Sequence, residues 1–546
     1  MADAGPIAVR GWRVAGPAVA AVALLVLVGY PRYELFAAAA GEGSRAAVRG
    51  LTTGRSVTAI ANTLWTSVVV TAVTLVVATA SALVTERMDV PGRRALRLAV
   101  LLPLLVPPYV SALSWARAYG PAGLSDRLLG VELPGVFGGF GIVAVVAVNA
   151  VPLAYLVIAA SLATRAEPDL ERAARSSGAS GWTAFRTVTL PLLQPALVAA
   201  GALVFVTAAN NFGVPAVLGR PAGFPTVTTR IYEDLVLSAD LAAFTRVLML
   251  ASLLVVIAVV VIVVTDVGVG LQLRSARTGL PAGGGHGGRR RILPALALVA
   301  YLAVTVLVPL VALVLVALTR AVGLPPVPAN WTLANLAAAL DPATRTAAAN
   351  SLRLALGAAV LVTVLGAVLA GLRRRRAGRL VGSASLLTFA VPGSALGVAI
   401  LLAYGGWLRD TLALSLVAYV AKLWAIGHRT IAGAVDGVPE DLLRAARGSG
   451  AGAATALRTV MLPLLRPALA AAALVTFLFA FHELAMSALL YGPGTQTLAV
   501  VVLNLHQLGD VRTTSALAVI LLAAVVVVVG PLLLAGRYAR RLAVRR

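Results

Sequence analysis

The chain has 546 residues, 60% hydrophobic and only 12% charged, with a mean hydropathy of +0.94, which excludes an ordinary soluble globular protein. Its net charge of +24 is almost all arginine, set in short bursts between apolar segments; that pattern argues against a nucleic-acid binder and for a topology signal. With no cysteine, disulfides, thiolate metal sites and cysteine nucleophiles are excluded.

A helix crosses a bilayer in roughly 20 apolar residues. On that measure the sequence predicts an all-α integral membrane protein with about twelve spans: 15–30, 60–84, 97–116, 139–163, 188–209, 245–265, 292–319, 351–372, 380–404, 411–427, 460–481 and 514–536. Arg10 and Arg13, the apolar run from Ala15 to Tyr30 and then Ala38-Ala39-Ala40 also fit a secretory signal and its cleavage site. The second half opens on a comparable segment, Ile292 to about Leu318, so the first run reads as its retained counterpart.

Arginine orients the spans. Arg10 and Arg13 precede the first, Arg87, Arg93, Arg94 and Arg97 follow the second, and Arg165, Arg172, Arg175 and Arg186 follow the fourth. Arg274, Arg277 and Arg289–Arg291 follow the sixth, Arg373–Arg376 with Arg379 the eighth, and Arg537, Arg540, Arg541, Arg545 and Arg546 the last. All share one face if the spans alternate, so that face, with both termini, is expected to be cytoplasmic. The segment 31–58, with Arg32, Arg45, Arg49 and Arg55, is the exception. Gln272–Arg290 has the Gly-rich composition of a flexible linker, His286 included. It divides the chain into a first half at 1–271, a cytoplasmic linker at 272–290 and a second half at 291–546.

The strongest signal is a duplicated loop. DLERAARSSGASGWTAFRTVTLPLLQPAL, Asp169 to Leu197, and DLLRAARGSGAGAATALRTVMLPLLRPAL, Asp441 to Leu469, align without a gap at an offset of 272 residues. Asn62-Thr63-Leu64 and Asn350-Ser351-Leu352 repeat at 288, which places about 16 extra residues in the first half, around Arg117–Gly138. The second half has only a tight turn there, near Trp407–Asp410. In each loop acids suit the first turn of a short helix, Arg175 or Arg447 its last turn, and Gly178 or Gly450 its end. Leu190-Pro191 and Leu462-Pro463 fall where the next helix meets the membrane. Ala173-Ala174 and Ala445-Ala446 give each knob a small-residue surface that a two-fold partner can approach.

These loops, 167–191 and 439–463, resemble the EAA signature of ATP-binding-cassette (ABC) importer permeases: Glu-Ala-Ala, three residues, Gly, and later Leu-Pro. The Ala-Ala, Gly and Leu-Pro elements match in both copies. Arg172 and Arg444 stand where the family has Glu, and Glu171 lies one residue earlier in the first copy alone. The resemblance implies the type I importer permease fold in a bacterial plasma membrane. It implies coupling helices that dock on two ABC ATPase subunits, formed by Glu171, Arg172, Ala173, Ala174, Gly178, Leu190, Pro191, Arg444, Ala445, Ala446, Gly450, Leu462 and Pro463. The segments Pro91–Trp115, Phe212–Gly219 and His482–Leu498 are similar to fused double-length permeases of the iron(III) and thiamine type. Those receive substrate from an extracytoplasmic binding protein, so iron(III) is the first expectation; thiamine, phosphonates and polyamines are the alternatives.

Asn210-Asn211 and His482-Glu483 align at the same offset of 272, at the outer ends of spans 5 and 11. Polar groups there mark either a translocation pathway or ordinary helix ends. Lys422, the only lysine, beside Trp424, could face the pore but reads rather as snorkelling or pairing within the bundle, and stays outside the expected site. No phosphate-binding G-x-x-x-x-G-K-[ST] loop occurs, so ATP and Mg are expected on partner subunits, with no cofactor, metal or catalytic residue on this chain. A major-facilitator-type secondary transporter is the main rival. The segment Glu86–Arg94 resembles that family's loop 2–3 motif, but that architecture gives no reason for the duplicated loop.

Overall fold

The computed structural model describes residues 22–133, 135–164, 168–240, 242–273, 292–371, 381, 382, 384, 385, 388 and 391–544. The linker from residue 274 onward, the run Arg373–Arg376 with Arg379, Arg165, Glu167 and the start of the opening segment lie outside them. Among the described residues the chain is all-α, with one isolated bridge between Thr319 and Trp331.

Nine helices there are long and apolar enough to cross a membrane, or ten when one bent pair counts as a span. Two expectations change. The first helix continues to Gly41 instead of ending at Tyr30, and the segment expected as a loop holds a second helix, Gly43–Thr52. The third span is broken: Arg93–Leu105 and Pro108–Leu129 meet at 99°. Pro107 and Pro108 remove two successive N–H donors, and Val106 before them is extended, so no continuous helix can form. At the expected ninth span the described residues show the helix Gly393–Leu408, 16 residues, after a stretch of which only 381, 382, 384, 385 and 388 are described; at the tenth stands Leu412–Asp436, 25 residues with Lys422 and Arg429 in it. The extra residues of the first half include helix Leu124–Leu129, and the second half turns at Asp410, with φ +61°.

The long helices bury small residues and turn branched ones outward. Gly54–Arg87 buries Ala59, Thr63, Ser67, Val70, Thr74, Ala78, Ser81 and Thr85, while Val68, Val69, Val73 and Val76 are exposed. Thr63, Ser67, Ser81 and Thr85 each donate to a carbonyl four residues back, so their hydroxyl protons are satisfied within the helix. Such a face lets backbones approach closely in lipid. Pro342–Gly371 does the same; a Cβ at Gly366 would stand 2.9 Å from the Gly427 carbonyl carbon.

The repeat is visible in specific bonds. Asn62 donates its amide to the Pro225 carbonyl (2.9 Å) and the Thr63 hydroxyl accepts the Val227 N–H (2.9 Å). Asn350 donates to Gly494 (2.9 Å) and Gln496 (3.1 Å), and the Ser351 hydroxyl accepts the Leu498 N–H (2.9 Å). Each pair latches the start of a short helix, Val227–Tyr232 or Leu498–Gln507, onto a long one. The opening helices cross between halves. Tyr119 of the first half donates to Val304, and Tyr404 of the second to Val26, each within a π-helical turn, Ala303–Leu307 or Leu25–Gly29. The two opening segments are thus structural counterparts. In the first half, Arg246 also ties down Asp234 (2.8 Å) and Asp240 (2.7 Å), and its hydrogen bond holds the Asp240 carboxyl below the usual range.

Candidate functional site

The two loops fold alike. Pro168–Ser176 carries Asp169 and Glu171 in its first turn and Arg175 in its last; Glu440–Gly448 carries Glu440, Asp441 and Arg447 in the same roles. Both end in a Schellman cap. Gly178 N–H reaches Arg175 O and Ala179 N–H reaches Ala174 O, each at 3.0 Å. Gly450 to Arg447 and Ala451 to Ala446 repeat this, again at 3.0 Å. Gly178 and Gly450 have φ of +91° and +81°, and nothing lies within 4 Å of a Cβ at either. Backbone hand, not space, requires glycine there.

Each knob leads into a 29-residue span, Gly181–Ala209 or Ala453–Phe481. One π-helical turn, Phe185–Thr189 or Leu457–Met461, immediately precedes Leu190-Pro191 or Leu462-Pro463. The wider turn accommodates a proline that has no N–H to give the carbonyl four residues back. The arginines in the family's Glu position lie on the surface and pair within their own helices: Arg172 with Asp169 (3.0 Å), Arg444 with Glu440 (3.0 Å) and Asp441 (3.5 Å). Exposed pairs of this kind contribute about 0–1 kcal/mol, so both guanidiniums can turn to a partner. Trp182, stacked on Phe185 and 70% exposed, is a surface feature of the first knob that the repeat pattern gave no reason to single out; Ala454 replaces it in the second.

At their far ends the two spans meet one cavity of about 220 Å³, and the four residues expected along a pathway all line it: Asn210, Asn211, His482 and Glu483. They are also helix ends. The Asn211 side-chain oxygen accepts the Val214 N–H (3.0 Å) and Glu483 Oε2 accepts the Met486 N–H (2.9 Å), a match at the repeat offset of 272.

Lys422 does not snorkel; it lines this cavity. Its Nζ stands 3.0 Å, and Glu483 Oε1 3.3 Å, from the point where a Gly393 Cβ would sit, so both groups occupy space that glycine leaves open. Tyr109, also missed, contributes a phenol on the first half's side. The lone lysine in an apolar stretch was the available signal; nothing in the sequence separated Tyr109 from other membrane tyrosines. Among the described residues no three His, Cys, Asp or Glu side chains group to hold a metal.

A family model described as "Binding-protein-dependent transport system inner membrane component" matches twice, at residues 77–278 and 362–543. The chain is 26% identical to a probable ABC transporter permease protein of Sinorhizobium fredii over 475 residues, 82% of this chain and 81% of that one. It is 33% identical to a molybdenum transport system permease protein of Mycobacterium tuberculosis over 43% of this chain and 83% of the relative. It is 28% identical to a ferric transport system permease protein of Actinobacillus pleuropneumoniae over 39% of this chain and 32% of the relative.

Proposed function

The chain belongs to the family of binding-protein-dependent transport system inner membrane components, the permeases of ABC importers, and from that premise we propose that its two halves form one translocation pathway driven by two separate ABC ATPase subunits. The carrying observation is the pair of like-built knobs, each with its Schellman glycine, one per half. The helices Pro168–Ser176 and Glu440–Gly448 are the coupling helices. Arg172 and Arg444 meet acidic positions on the ATPases. ATP and Mg act on those subunits, whose closure drives the knobs together and turns the cavity toward the substrate-binding protein.

The purified chain alone is expected to hydrolyse no ATP and to gain activity only in complex with two nucleotide-binding subunits. Robust hydrolysis by the isolated polypeptide would sink this reading. Both termini lie on the ATPase side of the bacterial plasma membrane, so reporters fused after Gly285 and after Arg546 should both register as cytoplasmic; an external signal from either breaks the arrangement.

Two cargo classes each rest on a specific observation. Iron(III) rests on the segments Pro91–Trp115, Phe212–Gly219 and His482–Leu498 and on the ferric relative. Molybdenum, as its oxyanion, rests on the 33% identity to the molybdenum permease. A disaccharide fits less well, since the cavity of about 220 Å³ is below the ~300–1,000 Å³ typical for larger ligands.

A further inference from the structure

We infer that the cavity between the halves is a transit station for a small inorganic oxyanion, with Lys422 as its binding charge and Glu483 as the counter-charge that keeps the hold weak. The inference rests on the permease reading and names its substrate class.

Lys422 sits midway along Leu412–Asp436, flanked by the buried Ala421, Leu423, Trp424 and Ala425. A cation at such a depth is costly and is kept where it lines a path or meets a partner. Lys422 Nζ (3.0 Å), the Ala485 Cβ (3.2 Å) and Glu483 Oε1 (3.3 Å) all approach the point where a Gly393 Cβ would sit, so both charged groups reach into the space that glycine leaves open. Glu483 is half committed elsewhere: Oε2 accepts the N–H of Met486 (2.9 Å) and of Ser487 (3.3 Å). That leaves Oε1 at the cavity, whose lining also includes Lys422, an ammonium with three donors.

The rest of the wall adds hydrogen-bonding atoms. The Tyr109 hydroxyl, on a residue only 2% exposed, and His482 Nδ1 are buried without a hydrogen-bond partner, and both residues line this cavity. Buried polar atoms are nearly always paired, so these two, one from each half, are donors left over for a ligand that reaches them. An oxyanion accepts from the phenol, the imidazole and the ammonium together. A ferric ion would meet the Lys422 charge with a single carboxylate to hold it.

Conduction requires a site that cargo can leave as readily as it arrives. A desolvated lysine alone would retain a dianion; Glu483 beside it supplies the repulsion that releases it. The signs of the two substitutions therefore differ. Lys422→Gln removes the attraction. Glu483→Gln removes the repulsion and keeps an oxygen for the Met486 and Ser487 N–H groups.

The test is equilibrium binding of radiolabelled molybdate, sulfate and ferric citrate to the full chain in lipid nanodiscs. Wild type should bind at least one tetrahedral oxyanion saturably. Lys422→Gln should bind about tenfold more weakly and Glu483→Gln several-fold more tightly, as expected for loss or gain of one charge-assisted contact. Lys422→Arg should retain binding, and the neutral pair Lys422→Gln with Glu483→Gln, which leaves no buried charge unpaired, should insert normally and still bind poorly. The tighter of molybdate and sulfate identifies the cargo. Absence of saturable oxyanion binding, unchanged binding in Lys422→Gln, or preference for ferric citrate overturns the station. If any of these occurs while the complex with its ATPases still hydrolyses ATP, the permease reading stands and this inference alone is lost.

Discussion

Gly178→Val and Gly450→Val are each expected to cut uptake about tenfold and, together, to abolish it, with the chain still inserted in the membrane. The left-handed backbone at either position costs an ordinary L-residue roughly 1–2 kcal/mol, and a β-branched side chain more. The helix each glycine closes is only nine residues long, too short to hold itself in water without its cap. Loss of the cap frees the carbonyls of Ala174 and Arg175, or of Ala446 and Arg447, and the coupling surface frays. Since no atom lies within 4 Å of either Cβ position, crowding is not the cause. Asparagine, which tolerates this conformation, should restore most activity at both sites. The measurement is uptake in vesicles alongside co-purification of the ATPase. Normal uptake with both valines would remove the coupling assignment, and failure of both asparagine variants would shift the explanation from backbone hand to contact.

The two knobs were legible because their chemistry is local. Acids in the first turn, arginine in the last and glycine at the end act within ten residues, and a second copy at a fixed offset removed the ambiguity of a single loop. The bend at Val106-Pro107 was not legible from hydropathy, because both arms are apolar and the window from 97 to 116 reads as one span; the successive prolines were the available cue. The Asn62-Thr63 and Asn350-Ser351 repeats were visible as strings, yet their purpose depends on partners more than 140 positions away. The crossing of the opening helices likewise depends on Tyr119 and Tyr404 reaching the opposite half. Lys422 was passed over because snorkelling is the usual fate of a membrane lysine. Gly393, 29 positions earlier, leaves room that Lys422 reaches into at the cavity.

Replacing His482 and Glu483 together by alanine should reduce uptake by about tenfold or more while the ATPase still co-purifies. The pair ends the helix Leu462–Phe481 and lines the cavity, so it has both a structural and a transport reading. The structural part is bounded: the Glu483 side chain accepts two backbone N–H bonds, each contributing about 0.5–1.5 kcal/mol or somewhat more for a charged acceptor. Losing them loosens one turn, Ser487–Leu490, far along the chain from either knob, so docking should survive. Asn211→Ala is the matched comparison: it removes the equivalent cap on Val214 from a residue that lines the same cavity, without touching a charge. If uptake falls in the His482/Glu483 variant and holds in Asn211→Ala, the charge beside Lys422 matters to passage beyond its role as a cap. Equal loss in both would make the helix ends the common cause, and normal uptake in the double variant would return His482 and Glu483 to their structural role alone.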